Sequence, residues 1–354
     1  MITTDIELEL GTPKQQLNRK QFLGAWRNSR EFFSNVLFSP WYRTIGKLLA
    51  EINAATHRFY TDRSIGSIPV PITCYSISSP FGLGSDSEPV EINLFDNSVF
   101  LADSMQFHLE YLLRQGFEGV YYLMPTFRGE TPDTRHLNQF FHSEMEMRGN
   151  LEDVMCMVEN YIRYCVDAIY RKFAEDINYL GGGLAHVEDF LNSSSRIPRI
   201  SFEETKEIVP RKAPFYKFAD QQEISLTAEG EAVLLAYFKQ PVWLTHLLAR
   251  SVPFYQAQTP DGHHAYCADL LMGIGEIVGC GQRHQTREET LSSLITHQVD
   301  PNAYAWYLRM KEEMPLLTSG FGMGVERLIL WLLNHNDIRD IPLFNRLKGN
   351  EYAP

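Results

Sequence analysis

Arg128 and Glu130, followed at close range by His136 and Phe140 in FRGETPDTRHLNQFFHSEMEM, are the residues of this chain best suited to chemistry on a phosphate. A guanidinium presents a planar fork that matches a phosphate or carboxylate, and a nearby carboxylate can orient the fork or accept an amino group from a base. Arg128 follows the apolar run GVYYLMPTF and Glu130 lies two residues on, so both side chains share a face if the strand continues. Arg135 and His136 then fall in a polar loop able to reach outer phosphates, and Phe140 offers a ring to a purine. A remote tail, GFGMGVERLILWLL, adds Arg327 just after Gly320, Gly322 and Gly324. Its spacing is GxGxG rather than the GxGxxG of a dinucleotide fingerprint. It predicts a glycine-rich turn that lets backbone approach a nucleotide, with a fixed cation beside it. Alone, the Arg128 and Glu130 pair is equally a structural ion pair, and Phe140 a core residue. With Arg327 they point to the two ends of a triphosphate.

The third piece is DLLMGIGEIVGCGQR, which carries Asp269, Glu276 and Arg283 at intervals of seven. Odd spacing on a continuous strand sends side chains to opposite faces, so Asp269 and Glu276 converge only if a bulge or turn intervenes at Gly273 or Gly275. Two carboxylates brought together beside a triphosphate suit Mg²⁺, which takes oxygen ligands and keeps several waters. His263, His264, His284 and His297 lack the paired spacing of a zinc site.

These residues need a frame, and 354 residues with 44% apolar content supply enough core for one large domain. A net charge of -12 argues against broad, sequence-independent binding to nucleic acid, though not against a local basic patch. The five cysteines are odd in number, form no CxxC pair and read as reduced thiols. No secretory signal and no apolar run of the ~20 residues a membrane span requires is present, so the expected location is cytoplasmic.

Residues 1–20 form a polar N-terminal segment, and 21–354 read as one catalytic domain. Ile45, Leu48, Leu49, Ile52 and Phe59 recur at helical spacing, predicting a helix over 41–60 that the glycine and prolines of SIGSIPVPI end. Strands are predicted at 91–95 and 99–102 about a turn at Asp96 and Asn97, and at Gly119–Phe127. A long amphipathic helix follows, N-capped by Asn150. The glycines and serines of 181–195 mark a candidate linker. Beyond it come a strand running into a helix, an acidic helical region to about Tyr237, strands at 241–245, 254–257 and 265–278, and a helix over 300–310. Strands are too many for a doubly wound alternation, which favours an α+β class with an antiparallel sheet flanked by helices.

In this order, the FRGE and RHLNQF stretch, EIVGCGQR, and GFGMGVERLILWLL with IRDIPLF resemble motif 2, the intervening acidic strand and motif 3 of class II aminoacyl-tRNA synthetases, in their aspartyl and asparaginyl subgroup. The resemblance covers about residues 41–346. It implies ATP and Mg²⁺, with Arg128 on the α-phosphate, Glu130 at the adenine, Phe140 stacked on it, and His136 and Arg327 on the outer phosphates; Gly324 and Glu276 complete the nucleotide set. Asp269 and Glu276 become metal ligands. Ser104 and Gln106 of LADSMQFHLEY match the family's SxQ amino-acid segment and, with Glu144 and Arg283, make up the substrate set. Arg283 matches the arginine that reads the substrate side chain. Pro71 is the nearest match to the proline of the dimer-forming motif 1, and a homodimer is implied. The catalytic pair is Arg128 and Arg327.

Relatives in this subgroup carry an anticodon-binding OB domain ahead of the catalytic domain, for which this sequence leaves no room. That difference favours an archaeal-type asparagine synthetase-like reaction, in which aspartate or a close analogue is adenylated and passed to ammonia or a small amine. Leu109 stands where aspartate-binding relatives have a lysine, and Asn345 where asparaginyl enzymes usually have a proline. The alternatives are transfer of asparagine or aspartate to a tRNA or other carrier, and a non-catalytic paralogue that binds amino acid or nucleotide. A tRNA partner is thus open but not preferred, and a membrane partner is not expected.

Overall fold

The computed structural model describes residues 23–80, 84, 87–219 and 221–352; the polar segment expected at 1–20 lies outside them. The chain begins with helices α1 (Ser29–Phe38) and α2 (Pro40–Thr61), then strands β1 (Gly66–Ser67), β2 (Thr73–Cys74), β3 (Val90–Leu94) and β4 (Asn97–Leu101). Helix α3 (Gln106–Leu113) leads into the hairpin β5 (Gly119–Phe127) and β6 (Gln139–Arg148), followed by α4 (Leu151–Gly181) and α5 (Ala185–Asn192). A middle stretch holds β7 (Arg199–Ser201), α6 (Phe202–Ile208), β8 (Tyr216–Ala219), β9 (Gln222–Leu226) and α7 (Ala228–Phe238). The last third comprises β10 (Val242–Thr245), β11 (Cys267–Met272), β12 (Gly275–Gln282), α8 (Arg287–Thr296), α9 (Ala305–Glu313), β13 (Thr318–Gly324) and α10 (Val325–Leu332).

Among the described residues eight strands form one sheet in the order β1-β5-β6-β13-β12-β11-β10-β7, parallel only at its two outer pairs. The fold is therefore the expected α+β arrangement. One face is covered by α2 and α4, whose Ile45, Ile52, Phe59, Val158, Ile162 and Val166 pack with Tyr121, Met145, Val278, Phe321 and Met323 in a continuous core. Helix α4 starts where a capping box forms. The Asn150 side chain accepts from the Glu152 and Asp153 amides, and Asp153 accepts from the Asn150 amide at 2.9 Å. Gly182 closes it in the left-handed conformation at φ 75°.

The opposite face is covered only toward its edges. Leu109 and Leu113 of α3 pack on Val120 and Tyr122 at one side, and Leu234, Leu244 and Leu271 cluster at the other. The middle strands β6, β13, β12 and β11 are left to line a cleft.

Several expectations shift. The candidate linker 181–195 contains α5, whose Val187 and Phe190 are buried; the period of four was masked by the flanking glycines and serines. Residues 254–257 make only isolated bridges, such as Gln256 with Arg283, and 265–278 divides into two strands. The turn expected at Asp96 and Asn97 lies one residue earlier, with positive φ at Phe95 and Asp96. The stretch before Tyr237 includes the β8 and β9 hairpin as well as α7. Pro71 sits exposed between β1 and β2. No helix among the described residues is long and apolar enough to cross a membrane.

Candidate active site

The floor of the cleft is a strip of glycine and acid. Register aligns Glu144, Gly322, Gly279 and Asp269 in one row across four strands, and Glu146, Gly320, Gly281 and Cys267 in the next. The glycine-rich segment expected as a turn is therefore β13 itself. Alternation sends Phe321 and Met323 into the core and leaves glycine alone on the cleft side. A Cβ on Gly320 would fall inside the Glu146 carboxylate, and one on Gly281 inside the Gln256 amide. Only glycine lets those side chains lie flat across the sheet.

Every residue assigned to the site from sequence lines one of two adjoining hollows. Ser104, Gln106, Arg128, Glu130, His136, Glu144, Asp269, Glu276 and Arg283 line a cleft of about 560 Å³. Arg128, His136, Phe140, Glu276, Gly324 and Arg327 line a narrower one of about 140 Å³.

At the narrow end, β5 stops at Phe127, so Arg128 and Glu130 leave strand geometry and take separate partners. The Arg128 guanidinium stands 5.4 Å from the centre of the Phe140 ring, with its Nε buried and unbonded. Glu130 accepts the Glu88 amide at 3.3 Å. Arg135 is committed to Glu231 of α7 at 2.5 Å, a contact the sequence did not suggest, and a Cβ on Gly275 would collide with both. Arg327 donates to the Glu276 carbonyl at 2.5 Å and to the Arg135 carbonyl at 3.3 Å, and lies 3.6 Å from the Glu276 carboxylate. His136 Nδ1 faces Asp133 at 2.9 Å. Burial and the neighbouring Arg327 hold that imidazole below its ordinary range, against the opposing pull of Asp133.

The two candidate metal carboxylates do converge. Gly273 turns the chain at φ 66° and the register slips between Leu270 and Leu271, which cancels the odd spacing. A Cβ built on Gly279 would lie 2.9 Å from Glu276 Oε1 and 3.6 Å from Asp269 Oδ1, so both oxygens crowd one point above the sheet. Burial, then Glu276 and Glu231, push the Asp269 carboxyl well above its ordinary range. A cation there would relieve that repulsion. No group of three or more His, Cys, Asp or Glu among the described residues is arranged to hold a metal. The pair thus fits a Mg²⁺ that takes its remaining ligands from phosphate and water.

At the other end, Arg283 is fully buried and already engaged. It donates to Glu146 Oε1 at 2.5 and 3.1 Å, to Gln256 Oε1 at 3.0 Å and to Gln106 Oε1 at 3.4 Å, with its Cζ 5.0 Å from the Tyr255 ring. Gln106 Nε2 and Glu146 Oε2 are buried with no partner. Burial, opposed by Arg283, pushes Glu146 up to about 7. Glu144, two residues earlier on the same face, behaves oppositely. Burial works against its charge, but His142, Ser104 and Tyr122 outweigh it and hold the carboxyl below its ordinary range. Glu146, Gln256 and Glu231 were missed in the sequence. The period-two acids of HSEMEM carry the signal that marks Glu146 as facing the same way as Glu144.

A family model described as tRNA synthetases class II (D, K and N) matches residues 35–348. The asparagine–tRNA ligase of Pyrococcus furiosus is 32% identical over 267 residues, which are 74% of this chain and 60% of the relative. The chain thus spans less than two thirds of that relative's length. A crystal structure of the Pyrococcus horikoshii asparaginyl-tRNA synthetase complexed with asparaginyl-adenylate superposes with a TM-score of 0.82 at 26% identity, covering 91% of this chain and 73% of that one. The Entamoeba histolytica enzyme in complex with asparaginyl-adenylate shares the fold, with a TM-score of 0.75 at 20% identity over 88% of this chain and 68% of its own.

Proposed function

The chain belongs to the class II tRNA synthetases of the D, K and N group, and on that premise we propose that its cleft uses ATP to adenylate asparagine, or an acid carrying the same side-chain amide. One observation carries the choice of side chain. The buried end of the cleft offers an unpartnered acceptor, Glu146 Oε2, beside donors on Arg283 and an unpartnered donor on Gln106. A carboxamide needs an acceptor for its NH₂ and a donor for its oxygen, whereas a carboxylate needs donors only. Arg283 is moreover already committed to Glu146, so a substrate carboxylate would meet an occupied guanidinium rather than a free cation. Aspartate, the sequence-based preference, fits this end less well, in keeping with Leu109 in place of a lysine.

The remaining parts divide the reaction between them. Glu144, kept ionised, suits the substrate ammonium. An oxygen of the substrate carboxylate attacks the α-phosphorus, the bond from that phosphorus to the α,β-bridging oxygen breaks, and acyl-adenylate forms as pyrophosphate leaves. Arg128 stabilises charge on the α-phosphate while Arg327 and His136 hold the outer phosphates. Phe140 and Glu130 take the adenine. Mg²⁺ held by Asp269 and Glu276 would neutralise the phosphate oxygens. For the acceptor we assign the end of a tRNA rather than ammonia, supported by the names of the relatives; a homodimer is the expected assembly.

Pyrophosphate exchange separates the readings. Asparagine should support it at least ~10-fold better than aspartate, the scale of one hydrogen-bonded side-chain contact, and bulk tRNA should discharge the adenylate. Exchange with aspartate and ammonium-dependent AMP release would instead restore the amide-ligase reading. Absence of exchange and of any Mg-ATP effect on thermal stability would leave a non-catalytic paralogue.

A further inference from the structure

Behind the amino-acid end lies a second charged cluster that touches no hollow described above. Glu110 of α3 and Lys311 of α9 are both wholly buried and 2.6 Å apart. Lys311 also donates to the His284 carbonyl at 2.7 Å, and Tyr307 donates to Glu110 at 2.5 Å. Thr318 reaches Glu110 at 3.4 Å, while its carbonyl accepts the Arg283 amide at 2.9 Å. The pair therefore grips the backbone on both sides of Arg283. It also sits one helical turn from Gln106, whose amide oxygen meets the Arg283 guanidinium at 3.4 Å.

A buried ion pair is a poor device for stability, because desolvating two charges cancels most of their attraction and apolar residues of similar size serve as well. What it supplies is directional. Lys311 has three donors, and Glu110 and a fixed carbonyl claim two of them, so α3, α9 and the end of β12 lock in one relative position.

We propose that Glu110 and Lys311 are positioning residues that hold Arg283 and Gln106 in the geometry that reads the substrate side chain. The proposal rests on the adenylation reading above.

Its test compares the apolar double variant Glu110→Leu/Lys311→Met, the conservative Lys311→Arg and the milder Tyr307→Phe in pyrophosphate exchange, with melting curves for each. The double variant should fold, raise KM for asparagine by at least ~10-fold, narrow the preference over aspartate, and leave KM for ATP within about twofold, because removing interactions made only with the amino acid moves its KM alone. Lys311→Arg should keep KM for asparagine within about threefold, since it preserves the charge-assisted bond. Tyr307→Phe should raise it about threefold through one lost hydrogen bond. Unchanged asparagine KM and selectivity in a folded double variant would overturn the proposal, as would an unchanged KM in Tyr307→Phe should the double variant not fold. Equal rises in both substrates' KM would mark a merely structural role. No exchange with asparagine in the unaltered protein would count against adenylation itself, not the clamp.

Discussion

The two faces of the same four strands, β6, β13, β12 and β11, obey opposite rules. On the helix side Met145, Phe321, Met323, Val278 and Leu270 pack in one buried cluster with α2 and α4. On the cleft side the same strands present glycine and carboxylate, and space there is kept by the absence of side chains. One face tolerates volume-conserving exchange because packing is collective. The other does not, because each glycine makes room for one particular polar group. Residues one apart in sequence therefore carry different kinds of information, stability in one case and recognition in the other.

The contrast breaks hardest at Gly320. Gly320→Val should displace the Glu146 carboxylate, unseat Arg283 and drop exchange with asparagine by ~10²-fold or more, the scale of a misplaced reading group; circular dichroism should show a folded protein. Full activity in this variant would erase the distinction between the faces. Three residues on, Met323→Ala should do the converse, costing about 2–5 kcal/mol in denaturant unfolding, with both KM values unchanged below the transition.

A smaller effect probes the border between the faces. Glu326, at the first turn of α10, is buried and accepts the Phe141 amide with both oxygens at 3.1 Å, and burial pushes it up to about 7. Its folded pKa exceeds its unfolded one, so the cost of ionising it is absent below the ordinary carboxylate range and grows as pH rises through about 7. Glu326→Gln should thus flatten a decline in stability between pH ~4.5 and ~7, worth at most about 3 kcal/mol at pH 8. Parallel pH profiles for the two proteins would show that the group titrates normally.

Much of the nucleotide end was readable in the chain because its signals are local. Arg128, His136 and Phe140 fall within 13 residues, and Arg327 follows its glycines directly. The helices α2 and α4 were equally plain, since a sustained apolar stripe and a capping box are properties of contiguous residues. The glycines of β13 misled because a glycine-rich run weakens a strand in isolation, and only neighbours on both sides make it one.

By itself the sequence determined which chemical groups are available and in what order: two arginines, two clustered acids, an aromatic ring and an amino-acid segment, each recognisable by type and short-range spacing. It could not settle who faces whom. Asp269 and Glu276 meet because the register slips opposite Leu270 and Leu271, where Ile277 of β12 is left without a partner, and this puts Glu276 on the face of Asp269. Arg283 lost the role of a free cation because Glu146, 137 residues away on β6, reaches it at the end of β12 across the one intervening strand, β13. A guanidinium's meaning depends on its partner, and partners so distant along the chain are chosen by the register of a sheet that exists only once the whole domain has folded.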